Sequence, residues 1–163
     1  MTDHRSDCDM LEDAIRFVLK NMRIRTVVDE NGHRTDKREY PVAAVREAII
    51  NALIHRDYST LTESSPVCVE MYRDRIEVIS NGNLRSVDWT GMPAKHPAEK
   101  RPEPRNTALA DILQLLEVTR NQGTGIPAIF ASVREAGLPD PEFEIDGDLL
   151  RVRIRNVWKN HET

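Results

Sequence analysis

The sequence predicts a protein of the α+β class, in which helices are interspersed with antiparallel β-hairpins. Two observations lead to this prediction. In four segments the apolar residues recur at intervals of three and four, which is the period of an α-helix. In three other regions, two stretches that alternate apolar with polar residues are separated by a short turn that contains Asp, Asn or Gly. The 163 residues fit one domain.

Composition and charge exclude several classes of protein. The net charge is −4, so there is no global basic field that would hold nucleic acid by phosphate contacts alone. The two cysteines, Cys8 and Cys68, lie far apart and form no metal or redox motif, which favours a reduced, cytoplasmic protein. There is no signal peptide and no apolar run of membrane-spanning length, so we expect no contact with a membrane.

Residues 1–39 are expected to form a helix and a hairpin that pack on the same domain as the rest. Ser6 or Asp7 can cap a helix that ends near Asn21. Residues 23–28 alternate like a strand, and the Asp-Glu-Asn-Gly sequence after them is typical of a tight turn, because Asn-Gly tolerates positive φ angles. The strand that follows the turn is polar and is predicted to lie at an edge.

The helix predicted at residues 40–58 is the element around which the chain is organised. Pro41 suits its first turn, where the missing N–H costs nothing. One face of this helix is apolar at helical spacing and is predicted to face the core, with Val45, Ile49, Ala52 and Leu53 as its members.

A polar stripe runs along the other side of this helix. Glu47, Asn51 and His55 stand four residues apart, which stacks them on one face. Ile50 and Ile54 flank the stripe, where a solvent-facing stripe would have Lys, Glu or Gln. This pattern indicates a covered cavity. The alternative is that the amide and the imidazole satisfy buried backbone groups and that the carboxylate meets water.

The middle of the chain combines a clear hairpin with an irregular segment. Residues 66–80 alternate clearly and predict a hairpin that reverses near Arg73 and Asp74. Residues 85–105 have no apolar period and contain four prolines. A loop of that length inside a compact domain is usually functional or mobile.

The last part of the chain returns to regular structure. A helix is expected at residues 107–118, capped by Asn106 or Thr107, and another at residues 127–136 that stops at Gly137. Two strands and a loose tail complete the chain, at residues 143–145, 149–155 and 157–163.

A glycine-rich sequence, Gly123-Thr124-Gly125, directly precedes the last helix. Backbone N–H groups at a helix N-terminus favour an anion, and glycines let the backbone approach a phosphate closely. No Gly-Lys-Ser/Thr follows, so this is not a Walker loop, and it follows a helix, so it is not a dinucleotide fingerprint. Alone, such a sequence is commonly a tight turn.

Two further elements have the chemistry of a nucleotide site. An Asn51 carbonyl oxygen, together with phosphates and water, suits Mg²⁺, and the Glu47 carboxylate one turn away could orient or deprotonate an attacking water. The Asn81-Gly82 pair ends a strand, where a polar side chain could bind a base and glycine allows close approach; the alternative is a plain turn.

The order of these elements resembles the Bergerat ATP-binding fold of the gyrase, histidine kinase and MutL-type (GHKL) superfamily. The amino-acid sequence is most similar to that of a subgroup found as the C-terminal part of proteins labelled RecG-like ATP-dependent DNA helicases or transcriptional regulators. The resemblance extends from Tyr40 to Ile154 and is carried by five stretches, YPVAAVREAIINALIHRDYS, DRIEVISNGNL, RNTALADIL, GTGI and EAGLPDPEFE.

The resemblance implies a two-layer sandwich with a mixed, mostly antiparallel sheet covered on one face by helices. Residues 40–156 would be the ATP-binding domain and residues 85–105 its lid. Glu47 would be the catalytic carboxylate and Asn51 the Mg²⁺ ligand. The nucleotide-binding residues would be Ser80, Asn81, Gly82, Arg105, Gly123, Thr124 and Gly125, and His55 and Arg56 are further candidates.

The implied function is an ATP-binding regulatory domain, with or without slow hydrolysis, whose cofactors are ATP and Mg²⁺. The superfamily has Asp-x-Gly-x-Gly at the adenine position, where this chain has Ser80 and Leu84 in place of the aspartate and the last glycine. The alternative is therefore a degenerate fold that serves as a non-hydrolysing dimerisation or regulatory module. No motor domain is present, so helicase activity is not expected of this chain.

The resemblance also suggests partners. Relatives of this superfamily often form homodimers, and longer relatives have an N-terminal DNA-associated domain, through which we expect DNA contact. Direct nucleic-acid binding by the cations of the long loop, Lys95, Lys100, Arg101 and Arg105, is a third hypothesis, and a solvated loop is favoured over it because the net charge is negative.

Overall fold

The computed structural model describes residues 7–56, 66–82, 106–115 and 125–157. Side chains are described in these ranges except for residues 7–8 and 112–115. The elements in chain order are α1 (Asp7–Asn21), β1 (Ile24–Val28), β2 (Arg34–Arg38), α2 (Val42–His55), β3 (Cys68–Met71), β4 (Arg75–Asn81), α3 (Thr107–Leu115), α4 (Gly125–Glu135), β5 (Glu142–Asp146) and β6 (Leu149–Arg155). This is the predicted α+β arrangement, with each predicted element present in the described ranges.

The main sheet has four strands in the order β3-β4-β6-β5. Every pairing among these described strands is antiparallel. The pleat sends one row of side chains, Val69, Val78, Val152 and Phe143, to the helical layer. The opposite face of the sheet is charged, and its acidic and basic residues pair across the strands. The sheet is therefore covered by helices on one face only.

Helix α2 lies at the centre of the helical layer, where it packs against α1, α3, α4 and β4. The predicted core face is buried, but so are Ala44, Ala48, Ile50 and His55, so this face was predicted too narrowly. The helix starts at Val42, with Pro41 as its N-cap residue (φ −68°, ψ 119°) rather than in its first turn. It ends at His55, and the predicted extension to residue 58 lies outside the described residues.

Helix α4 begins earlier than the sequence predicts, at Gly125 rather than at Pro127. Both residues fit the first turn, where the N–H groups have no partner inside the helix. The C-terminal stop is as predicted. Gly137 has φ 70°, its N–H donates to the Arg134 carbonyl, and the Leu138 N–H donates to the Val133 carbonyl. This is the Schellman motif, which needs the left-handed conformation that glycine favours.

The hairpin β1–β2 forms a separate two-stranded sheet. Its turn is as predicted, with Gly32 at φ 81° and the Asp29 side chain accepting from the N–H groups of Asn31 and His33. Its base is anchored to the main body by Glu39, whose carboxylate accepts hydrogen bonds from Arg23 and Asn156. Residues 7–39 thus contact the rest of the described chain through α1 and through this anchor.

Candidate functional site

The polar stripe of α2 is partly covered by the fold, most completely at His55. Glu47 and Asn51 are half-buried, and His55 is only 8% exposed. The Asn51 Nδ2 donates to the Glu47 carbonyl oxygen at 2.9 Å, which fixes the orientation of the amide and leaves its Oδ1 as an acceptor. The amide therefore has a defined rotamer before any ligand arrives.

The start of α4 lies directly against this amide. A Cβ placed on Gly125 would stand 2.8 Å from both Oδ1 and Nδ2 of Asn51, closer than real Cβ atoms approach. Only glycine permits this distance without displacing the amide. The contact brings together two residues that the sequence proposed separately, one as a metal ligand and one as a phosphate contact.

A small cavity has Asn51 in its lining. Its walls are almost wholly apolar. They are formed by Ala48, Ala52, Val78, Ile126, Ile129, Phe143, Leu150 and Val152, together with apolar atoms of Asn51, His55 and Ser80. The cavity measures about 10 Å³, which is close to the minimum for one water molecule. The predicted covered cavity exists, but the described walls alone leave no space for a purine ring.

Burial changes the acidity of the carboxylate on this helix. Desolvation raises the pKa of Glu47 above its ordinary value, and the neighbouring Arg46 partly offsets the effect. A carboxylate with a raised pKa is a better proton acceptor, as general-base chemistry near neutral pH requires. The side chain is not part of the cavity lining, so it lies beside the cavity rather than in it.

The strand end predicted to bind a base is shaped by a glycine. Ser80 is 2% exposed and turned into the cavity, whereas Asn81 is half-buried and not part of its lining. Gly82 has φ 144°, which favours glycine, and its N–H donates to the Asp148 carbonyl oxygen at 2.7 Å. Ser80, rather than the asparagine that follows it, is therefore the residue of this strand end that lines the cavity together with Asn51 and His55.

Asn106 has a role that the sequence indicated only as a helix cap. Its Nδ2 donates to the carbonyl oxygens of Ile54 and Arg56 at 3.0 and 3.1 Å, and its own N–H also donates to the Ile54 carbonyl. Its carbonyl accepts from the Ala110 N–H, so Asn106 is the N-cap residue of α3. One residue thus joins the start of α3 to the end of α2, beside the buried Arg56.

Three of the predicted nucleotide-binding residues, Arg105, Gly123 and Thr124, lie outside the described residues, as does the predicted lid at residues 85–105. The remaining candidates separate into two groups. Asn51, His55 and Ser80 line one cavity and Gly125 contacts Asn51, whereas Glu47, Arg56, Asn81 and Gly82 are not part of the lining. Ala48 was missed and Ala52 was predicted only as a core residue, although these two small residues stand four apart beside the polar stripe and both line the cavity.

The donor set at the site suits a hard, weakly held cation. Among the described residues no group of three or more His, Cys, Asp or Glu side chains could enclose a metal ion. Mg²⁺ needs no such cage, because it keeps several waters and takes one or two protein oxygens together with phosphates. The Asn51 Oδ1, held in place by the bond of its amide nitrogen, fits that requirement.

A central helix with a polar stripe, a glycine-opened helix against it and a one-sided antiparallel sheet define an ATPase-like α+β sandwich of the HATPase type. Residues 64–154 match the family described as "Putative ATP-dependent DNA helicase recG C-terminal", and the chain belongs to this family. The resemblance found in the sequence is therefore confirmed. Helix α2 precedes the matched range.

The fold is also similar to a solved structure, the crystal structure of the DIP2311 protein from Corynebacterium diphtheriae. The TM-score is 0.65 and the sequence identity 27%, over 94% of this chain and 28% of that chain. The present chain thus spans little more than a quarter of the length of that protein. A comparison with curated proteins gives no match. None of the described helices has both the length and the apolar character that crossing a bilayer would require.

Proposed function

We propose that this chain is an ATP-binding regulatory domain that holds Mg-ATP between α2 and the loop that leads into α4. The observation that carries the proposal is the contact between Gly125 and the Asn51 amide. It places the N-terminus of an 11-residue helix, which attracts anions, beside an oriented carbonyl oxygen that can bind Mg²⁺. Membership of a family described as ATP-dependent supports the same ligand.

Each residue then has a separate task. The first turn of α4, with Gly123 and Thr124 before it, binds the phosphates. Asn51 holds Mg²⁺, which when bound neutralises phosphate charge. Glu47, with its raised pKa, orients and deprotonates a water for slow hydrolysis. Ser80 would lie at the base end, since it is the one polar residue of β4 among those that line the cavity.

The test is a titration of the 163-residue chain with Mg-ATP by calorimetry, compared with the Asn51→Ala variant. We expect binding by the unmodified chain and a loss of at least tenfold in the variant. Asn21→Ala is the matched control, because the Asn21 Nδ2 makes the same kind of bond, to the Phe17 carbonyl one turn back on α1. Equal affinity in the Asn51 and Asn21 variants, or no binding at millimolar ATP, would overturn the proposal.

Hydrolysis is tested separately with Glu47→Gln. We expect this variant to bind Mg-ATP with nearly unchanged affinity and to lose phosphate release, because the amide cannot accept a proton from water. If hydrolysis is detected, its rate should fall as pH falls through the raised pKa of Glu47, since only the ionised carboxylate acts as a base. An unchanged rate in the variant would remove the assignment of this residue.

The size of the cavity favours one alternative, a degenerate fold that acts as a regulatory or dimerisation module without nucleotide. The space of about 10 Å³ between the described walls is far too small for a base, and a serine stands where the superfamily has its aspartate. Thermal unfolding distinguishes the two functions. A ligand at a hundred times its Kd stabilises the folded state by about 2.7 kcal/mol. A specific rise in Tm with ATP favours the ATP-binding domain, and no rise with any nucleotide favours the degenerate module.

A further inference from the structure

The hairpin β1–β2 is the most exposed regular element of the described chain. All ten of its strand residues are exposed, on both faces of the two-stranded sheet. Isolated hairpins of this kind are only marginally stable in water. This one is held in shape at both ends, by the Asp29 turn at its tip and by the Glu39 anchor at its base. It therefore presents a preformed ribbon to whatever binds it.

The charge of the ribbon is opposite to that of the chain. Its strands carry the cations Arg25, Arg34, Lys37 and Arg38 against the single carboxylate of Asp36, a net charge of +3 in a chain whose net charge is −4. The Asp36 carboxylate accepts a hydrogen bond from the Thr26 hydroxyl at 2.7 Å. Arg34, Lys37 and Arg38 form no ion pair with any residue in the described ranges. The cations of β2 are therefore available to an external polyanion.

The register distributes these cations over both faces. Residues directly opposite each other share a face, so Arg34 and Arg38 lie on one face with Val28 and Ile24, and Lys37 lies on the other face opposite Arg25. Five-residue strands make a ribbon about 17 Å long with about 5 Å between the strands. The major groove of duplex DNA, about 12 Å wide, admits such a two-stranded ribbon. A phosphate backbone borders each side of the groove, which suits cations on both faces.

We propose that the β1–β2 ribbon is a contact site for the phosphate backbone of duplex DNA, made by Arg34, Lys37 and Arg38. The acidic residues of the tip, Asp29 and Glu30, direct the contact to the long sides of the ribbon rather than to its end. Pairing with the ribbon of a second copy is disfavoured, because it would bring two cationic strands together and like charges across strands repel. The site is separate from the residues proposed to bind nucleotide.

The experiment measures binding of the 163-residue chain to a fluorescein-labelled DNA duplex of mixed sequence by anisotropy, at several salt concentrations. Each phosphate contact contributes about 0.9 to the slope of log K against log salt. We expect R34A/K37A/R38A to lower the slope by roughly 2 to 3 and to weaken binding at low salt by about tenfold or more. R34K/R38K retains the cations and should bind like the unmodified chain.

The matched control is R16A/K20A/R73A, which removes the same charge from exposed positions outside the ribbon and should keep the slope. Absence of DNA binding at low salt, or equal slopes for the two triple variants, would overturn the proposal. So would tighter binding to duplex RNA, whose deep, narrow major groove excludes a ribbon. A dimer in solution that R34A/K37A/R38A dissociates would show instead that the ribbon is an interface between copies.

Discussion

Gly125 lies so close to Asn51 that a methyl group on its Cα would stand 2.8 Å from both polar atoms of the Asn51 amide. The amide cannot simply rotate away, because its Nδ2 is bonded to the Glu47 carbonyl one turn earlier. This single contact therefore couples the start of α4 to the middle of α2. It also explains why the helix begins with the residue that otherwise favours helices least among non-proline residues.

Gly125→Ala should destabilise the protein, although alanine is the better helix former. The gain in propensity is about 1 kcal/mol or less, whereas overpacking of a filled contact costs about 1–3 kcal/mol. In the Asn51→Ala background the contact is absent, so the same change should become neutral or stabilising. Urea unfolding of the four proteins measures this reversal of sign.

The control for this cycle is Gly32→Ala. Gly32 has a positive φ, so alanine is strained there, but no atom lies within 4 Å of its added Cβ. Its cost should be the same in the unmodified chain and in the Asn51→Ala background. Additivity in both cycles would show that the two site residues do not interact.

Asn106→Ala should loosen α3 without unfolding the sheet. The change removes two side-chain hydrogen bonds to the end of α2 and leaves the Ile54 and Arg56 carbonyls with fewer donors, at a cost of about 1–3 kcal/mol. Hydrogen exchange should speed up in α3 and in the last turn of α2, and remain slow in β4 and β6. Thr107→Ala, at the next and exposed position, should change neither. Uniform acceleration across the sheet would contradict a local role.

The free energy of unfolding of the Glu77→Gln variant should depend less on acid pH than that of the unmodified protein. Burial alone would raise the pKa of Glu77, but hydrogen bonds from Arg75 and Arg153 hold it below its ordinary value of 4.5. Its stabilisation is therefore present above pH 4.5 and is lost as pH falls through the folded-state pKa. The free energy of unfolding of the variant should be lower by about 2 kcal/mol at neutral pH. It should also decrease less than that of the unmodified protein when the pH is lowered.

Denaturant unfolding at neutral and acid pH checks this difference. Glu144→Gln is the control, because Glu144 pairs with Arg151 and Arg153 but is half exposed, so its loss should cost under about 1 kcal/mol. Equal costs for both variants would mean that burial of Glu77 does not strengthen its ion pairs.

The sheet could be predicted from sequence better than the helical layer. Strand β6 has the predicted bounds, because Leu150, Val152 and Ile154 alternate with arginines and one face of the sheet is solvated. Helix α2 could not be predicted so fully. Periodicity identified its most apolar face, but Ile50 and His55 are also buried, because other helices cover α2 on further sides. The number of neighbours around a helix is a tertiary property that spacing does not encode.

The site shows the same division. Spacing identified Asn51 and His55 as one stripe, and the glycine-rich sequence placed Gly125 in the segment that leads into a helix. Their contact depends on how α4 packs on α2, which no local pattern contains. The bond from Asn106 to Ile54 joins residues 52 positions apart, so it could not be found from spacing either. Local sequence patterns thus identified several of the individual residues, but only the packing of the helices shows which of them are in contact.

Tyr40→Phe should make the stability of the protein less dependent on pH at high pH. Tyr40 is fully buried, and its hydroxyl oxygen accepts a hydrogen bond from Asn156 at 2.9 Å. Burial raises the pKa of Tyr40 to about 12, from 10.0 in the unfolded chain, against the smaller opposing effect of Asn156. The folded state therefore keeps its proton where the unfolded state has lost it, and stability falls as pH rises from 10 towards 12. The phenylalanine variant lacks this dependence, and its stability at neutral pH should be lower by about 1 kcal/mol because the hydrogen bond is lost.

Urea unfolding of both proteins across this pH range, with tyrosinate absorbance followed in parallel, should show that the two stability curves converge as pH rises. A constant difference between the curves would mean that the phenol ionises in the folded protein as readily as in water.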